Sequence, residues 1–270
     1  MKAVILARGL ARRMKEDQQD AALDRDQAAA ASAGHKAMMP VGAGQRPFLD
    51  YILSSLADAG AADVGLVIGP EHDAIRRRYE HDAPPRRTTV TLLTQEQPLG
   101  TANAVLACEA WTGREPFLVM NGDNLYPVQA LRDLVALDAP GLPVFERDAL
   151  VRDSNIPADR VAAFALLDVD AGGRLRAILE KPGVAAMAAA GARALVSMNC
   201  WRFDARIYQA CRDVPRSARG EFELPEAVAL ALARGLPLVA VPAAGAVLDL
   251  SRRSDVADVA ARLAATEPNP

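Results

Sequence analysis

The chain has 270 residues, 51% of them hydrophobic, which is enough to bury a sizeable core and excludes a disordered or fibrous protein. Its 31 Lys and Arg against 34 Asp and Glu leave a formal charge of −3 with the basic residues scattered, so no electrostatic footprint points to nucleic acid and the expected ligand is small. Cys108, Cys200 and Cys211 lack paired metal-ligand spacing and suit reduced thiols in a cytoplasmic protein. Arg8 cuts the first apolar run too short for a signal peptide, and no apolar run is long enough for a membrane span.

Short apolar or β-branched runs at 3–6, 64–68, 90–93 and 117–120 alternate with stretches of helical period at 48–59, 73–79 and 102–111. That alternation predicts a parallel sheet with crossover helices. Residues 15–33, rich in Ala, Gln and Asp, read as a helical insertion stopped by Gly34. Beyond residue 140 the runs at 142–145, 160–167, 175–179 and 195–203 follow one another through turns such as Ala171-Gly172-Gly173, which predicts antiparallel additions to the same sheet. Helices at 205–212 and 224–234, strands at 237–241 and 246–250, and a last helix at 254–264 capped by Ser254 complete the chain. Arg76-Arg77-Arg78 and Arg86-Arg87 read as solvated faces.

The first strand runs into Ala7-Arg8-Gly9-Leu10-Ala11-Arg12-Arg13-Met14. A turn through Gly9 at the carboxyl edge of a parallel sheet presents backbone N–H groups to a ligand, and phosphate is the natural guest. Arg8, Arg12 and Arg13 crowd three cations into this turn, an arrangement that invites an anion. Taken alone, the loop reads first as a basic surface turn, since a single glycine motif is a weak signal.

Leu6, Ala7, Gly9, Arg13 and Met14 resemble the signature of the sugar-1-phosphate nucleotidylyltransferases, whereas Arg8, Ala11 and Arg12 depart from it. The later motifs of that family follow in order. Lys36-Ala37-Met38-Met39-Pro40-Val41 resembles its lysine-apolar-proline segment, and Gln95-Glu96-Gln97-Pro98-Leu99-Gly100-Thr101 its base-reading loop. Asn121-Gly122-Asp123 ends an apolar strand where a magnesium ligand is needed, Glu180-Lys181-Pro182 closes another, and Asn199 lies on a third. Gly220-Glu221-Phe222-Glu223 resembles a helix start, and Asp249 in Leu248-Asp249-Leu250 the family's second metal-binding aspartate. An acid in so apolar a run needs a partner or a metal.

The resemblance implies a three-layer Rossmann-like (GT-A type) α/β fold, a mixed, mainly parallel sheet with helices on both faces. It implies one nucleotidyltransferase domain over 1–270, with 1–140 mainly binding nucleotide, 141–250 mainly binding sugar phosphate, and 251–270 a helix and tail. The implied reaction joins a nucleoside triphosphate to a sugar-1-phosphate with Mg2+ and releases pyrophosphate, UTP or dTTP being favoured by Gln95 and Gly100. Arg13, Lys36 and Lys181 would be catalytic. Leu6, Ala7, Gly9, Arg12, Gln95, Gly100 and Thr101 would bind nucleotide, Glu180 and Asn199 the sugar phosphate, and Asp123 and Asp249 the metal. The insertion at 15–33 would border the nucleotide. The nucleophile is already anionic, so no general base is required, and His35, His72 and His81 form no evident cluster. Two alternatives stand beside this reading: cytidylyl or guanylyl transfer to another phosphorylated acceptor, and a catalytically weak regulatory subunit that binds nucleotide-sugar. A homo-oligomer is compatible with the resemblance, although no residue pattern marks an interface.

Overall fold

A computed structural model of the protein describes residues 1–9, 14, 23–34, 36–42 and 44–270. The chain opens with β1 (Lys2–Leu6), and after the helix Arg25–Ala33 a ribbon of β2 (Pro40–Val41) and β3 (Arg46–Pro47) leads into the helix Phe48–Ala59. Next come β4 (Asp63–Ile68), β5 (Thr89–Thr94), β6 (Phe117–Asn121) and β7 (Asn124–Leu125). The second half supplies β8 (Gly141–Glu146), β9 (Leu166–Val169), β10 (Leu175–Leu179), β11 (Leu195–Ser197), β12 (Trp201–Phe203), β13 (Val239–Ala243) and β14 (Leu248–Asp249).

Strands β5, β4, β1 and β6 lie side by side and parallel, with Leu6 opposite Val67 on one flank and Asn121 on the other. The chain leaves β1 toward β4 and returns on its far side as β6, which makes the carboxyl end of β1 a topological switch point where such sheets open a crevice. Period-two alternation divides the strands between two cores. Ala3, Ile5, Leu118 and Met120 pack against the helix Phe48–Ala59, while Val4, Phe117 and Val119 face the helices Thr101–Leu106 and Leu224–Ala233. Beyond β6 the sheet continues antiparallel through β12, β8, β11, β9 and β10, as expected, with β13 added parallel to β8.

The described part of the 15–33 insertion is helical, as expected. Asp24 and Gln27 form a reciprocal capping box at its start, and Gly34 ends it in the left-handed conformation. Several expectations are corrected. The run 160–167 is not one strand: Pro157 starts the short helix Ala158–Val161, and only Leu166–Val169 extends. Its apolar pattern fits either element, and a buried ion pair at Arg160 settles the helix. The run 195–203 breaks at Asn199 (φ 56°), where the chain crosses from β11 to β12. The stretch 102–111 divides into Thr101–Leu106 and Glu109–Thr112. The helix expected over 73–79 widens after Arg77 into a π turn, Arg78–Asp82, which delivers Arg78 and Tyr79 to the buried Asp50 at 2.6 and 2.8 Å. Arg78 is therefore tied inward rather than solvated. At the last helix, Ser254 makes no side-chain capping bond, and Asp255 instead ties down the turn before the helix, accepting from the N–H groups of Ser251 and Arg252. Among the described residues no helix is long and apolar enough to cross a membrane.

Candidate active site

A cavity of about 480 Å³ opens at the carboxyl ends of β1, β4, β5 and β6. Leu6, Ala7, Gly9 and Lys36 line it, as do Gln95, Gly100, Thr101 and Asp123, so eight of the residues singled out from sequence share one cavity. Arg12 and Arg13 lie outside the described residues.

Asp123 follows the β6 strand end, where the Gly122 N–H donates to the Leu6 carbonyl at 2.9 Å and draws the loop against β1. Lys36, on the single turn Lys36–Met38, places its ammonium 3.3 Å from the Asp123 carboxylate. Asp249 comes alongside because β14 pairs antiparallel with β7, setting Asp249 opposite Asn124, and the Leu250 N–H donates to the Asp123 carbonyl at 2.9 Å. Asn155 grips the backbone of Asp249 from both sides, donating to its carbonyl at 2.7 Å and accepting from its N–H at 2.8 Å.

Asp249 is 4% exposed. Burial first, then the neighbouring Asp123 charge, pushes its carboxyl up to about 6, against the pull of Ser251 and Arg160. Among the described residues Arg160 is the cation paired with it, 3.6 Å away, and Arg160 is committed bidentately to Asp255 at 2.8 and 3.0 Å. Among the described residues Asp249 Oδ1 has no hydrogen-bond partner although buried. A buried carboxylate oxygen in that state is poised for a cation. Two aspartates fit a Mg2+ ion whose other ligands are phosphate oxygens and water, and among the described residues no group of three or more His, Cys, Asp or Glu clusters to form an all-protein site.

At the other end of the cavity Gln95 is buried, its side-chain NH2 donating to the Gly100 carbonyl at 3.1 Å and to Asn103 Oδ1 at 2.8 Å. Gly100 has φ 113°, and a Cβ there would lie 2.5 Å from the Phe222 carbonyl oxygen, so the backbone of residue 222 demands glycine whatever the ligand. Thr101 does not cap its own helix. Its hydroxyl accepts from the Leu224 N–H at 2.8 Å, capping the helix Leu224–Ala233 across the cavity rim. Arg8, the described cation of the first loop, also differs from expectation. Arg8 needs no outside anion because Glu71 receives its Nε and Nη2 at 3.0 and 3.1 Å, while Nη1 donates to the Gln95 carbonyl.

Glu180, Lys181, Asn199 and Asp249 are not on the cavity wall. Lys181 is half exposed at the end of β10, in left-handed backbone (φ 50°), 3.9 Å from Glu180. Burial raises the Glu180 carboxyl, with Glu223 and Glu226 adding to the effect and Lys181 and Arg219 opposing it. Arg219 lines the cavity and pairs with Glu223, and both charges are felt by Glu180. Asn199 holds a buried Oδ1 without a hydrogen-bond partner among the described residues.

Sequence reasoning missed Arg160, Asn155, Arg219 and Ser251. Asn155 holds the backbone of Asp249, Arg160 stands 3.6 Å from its carboxylate, and the last two line the cavity. Asn155 and Arg160 carried no local signal, since their partners are 94 and 95 residues away.

The family model described as nucleotidyl transferase matches residues 31–265. A glucose-1-phosphate thymidylyltransferase of Streptomyces antibioticus is 27% identical over 227 residues, covering 81% of this chain and 58% of that protein. A UTP-glucose-1-phosphate uridylyltransferase of Haloferax volcanii is 26% identical over 218 residues, covering 81% of this chain and 84% of the relative. The chain thus spans little more than half the length of the Streptomyces relative. Among solved structures, a UDP-glucose pyrophosphorylase complexed with UDP-glucose superposes with a TM-score of 0.71 at 14% identity over 97% of each chain. A UTP-bound UGPase from Acinetobacter baumannii gives 0.72 at 20% identity, over 99% of this chain and 94% of that one. At these identities the structural likeness is one of fold, and it bears out the mixed α/β sheet with helices on both faces.

Proposed function

Because the chain belongs to the nucleotidyl transferase family, we propose that it joins a sugar-1-phosphate to UTP or dTTP with Mg2+, giving a nucleotide-sugar and pyrophosphate. The observation that carries this reading is the convergence of Asp123, Lys36 and the buried Asp249, one of whose oxygens has no hydrogen bond among the described residues, at the switch point of the sheet beside an open cavity. In this reading 1–140 supplies mainly the nucleotide site and 141–250 mainly the sugar-phosphate site of one domain.

A sugar-phosphate oxygen attacks the nucleotide α-phosphorus. The new P–O bond forms as the bond to the β-phosphate bridge breaks, and pyrophosphate leaves with that electron pair. The nucleophile is an anion at neutral pH, so this chain's residues position and neutralise rather than remove a proton. Lys36 sits where it reaches the phosphates and Asp123 together, Lys181 steers the sugar phosphate, and Arg13 holds the pyrophosphate portion. Asp123 and Asp249 would hold Mg2+, which when bound withdraws charge from the phosphate oxygens. Gln95 and the loop through Gly100 and Thr101 face the base.

The test is pyrophosphate release from a matrix of UTP, dTTP, CTP, GTP and ATP against several sugar-1-phosphates, with and without Mg2+. Release confined to the uridine or thymidine rows and abolished by EDTA supports the reading. Tight nucleotide binding without release in any pairing would favour a regulatory subunit, and release only with CTP or GTP would reassign the base.

A further inference from the structure

Arg8 departs from the family signature, and its surroundings are built around it. The guanidinium reaches from the end of β1 across the end of β4 to the end of β5, with Nε and Nη2 on Glu71 and Nη1 on the Gln95 carbonyl. Its side chain is 7% exposed while that of Glu71 is 51% exposed, so the cation lies within the wall and the carboxylate braces it from solvent. Gly69 provides the room. A Cβ at that position would lie 2.3 Å from Arg8 Nε and equally close to Glu71. The residue so held, Gln95, has its N–H on the Ile68 carbonyl at 2.9 Å and its side-chain NH2 on Gly100 and Asn103, so the bond from Arg8 completes the fixing of its backbone.

We infer that Arg8 is a specificity-determining positioning residue, whose bridge between Glu71 and the Gln95 carbonyl sets the base-facing end of the cavity and with it the preference for one nucleobase over another. The inference rests on the proposed nucleotidylyl transfer. A guanidinium that makes three bonds to two loops orders both at once, and ordering a recognition group before the ligand arrives strengthens binding of the ligand that fits it. A lysine at this position has one nitrogen and cannot span the same partners. Among the described residues the hydrogen bonds of Arg8 go to Glu71 and Gln95 and that of Lys36 to Asp123, so loss of the Arg8 bridge acts on recognition more than on the transfer step.

The experiment measures equilibrium binding of UTP, dTTP, CTP, GTP and ATP to the wild-type chain, to Arg8→Gly, Arg8→Lys and Glu71→Gln, together with KM and kcat for the preferred nucleotide. Arg8→Gly should weaken the preferred nucleotide about tenfold, the size of losing a charge-assisted contact, while the others change much less, so that preference collapses. KM should rise much more than kcat falls, Glu71→Gln should shift in the same direction, and Arg8→Lys should not rescue. Equal weakening of every nucleotide, or unchanged preference in both Arg8→Gly and Glu71→Gln, would overturn the inference. If Arg8→Gly proves too unstable, Glu71→Gln carries the test alone, because Glu71 is half exposed and its loss leaves the backbone intact. A folded wild-type chain that binds no nucleotide would instead overturn the functional reading, and that result appears before any variant is made.

Discussion

Asp249→Asn separates a carboxylate kept for a cation from one kept for a structural ion pair. The Asp249 carboxyl is raised from 3.8 to about 6, so the folded chain binds its proton more tightly than the unfolded chain does. The sign follows from linkage: stability falls as pH rises from about 4 to about 6, and above that the fold carries the whole cost of the buried charge, about 3 kcal/mol. Asparagine keeps the shape and the two backbone bonds to Asn155 but carries no charge. In EDTA at pH 8 the variant should therefore be about 2–3 kcal/mol more stable than the wild type, roughly 5–10 °C in Tm for a chain of this size. The difference should fall to about a third, on the order of 1 kcal/mol, at pH 4.5. Thermal denaturation of both proteins across that range, with and without Mg2+, reads it directly. Mg2+ should raise the Tm of the wild type and not of the variant, and turnover of the variant should fall by orders of magnitude. A variant no more stable than the wild type at pH 8 would show that the Arg160 contact at 3.6 Å outweighs burial and the Asp123 charge, and the argument for a poised cation site would fail.

Lys36→Met should lower kcat/KM by about 100-fold or more, through loss of a cation aimed at transferring phosphates, with Tm changed by only a few degrees because its partly exposed pair with Asp123 contributes little stability. Steady-state rates beside a melting curve check both halves. Gly100→Ala drives a Cβ to 2.5 Å from the Phe222 carbonyl oxygen at φ 113° and should cost about 3 kcal/mol or more, seen as a lower denaturation midpoint; an unchanged midpoint would mean that the 97–102 loop and residue 222 do not meet as described. Burial pushes the Cys108 thiol up to about 11 and Cys211 to about 12, and raises Cys200 as well. Ellman's reagent at pH 8 should therefore find no fast thiol in the folded protein and all three after denaturation, and rapid labelling of the native chain would refute that burial.

Much of this protein is legible in its sequence, because strands and helices are chosen by patterns a few residues long. The apolar alternation of β1, β4, β5 and β6, the helix Phe48–Ala59 and the stop at Gly34 all follow from local periodicity and cap chemistry. The order of Lys36, Gln95, Asp123, Lys181 and Asp249 was enough to point to the family, and the family comparison agrees. Where the pattern was ambiguous, as at Arg160, a contact 95 residues away decided between helix and strand. The partners of charged and capping groups were decided only in three dimensions: Glu71 for Arg8 across 63 residues, Leu224 for Thr101 across 123, and Asp255 for Arg160. The physical reason is common to all three. A strand's pattern is satisfied by any apolar layer laid against it, whereas an ion pair or a cap depends on which chain ends the sheet order brings within 3 Å, and no local stretch of sequence contains that order.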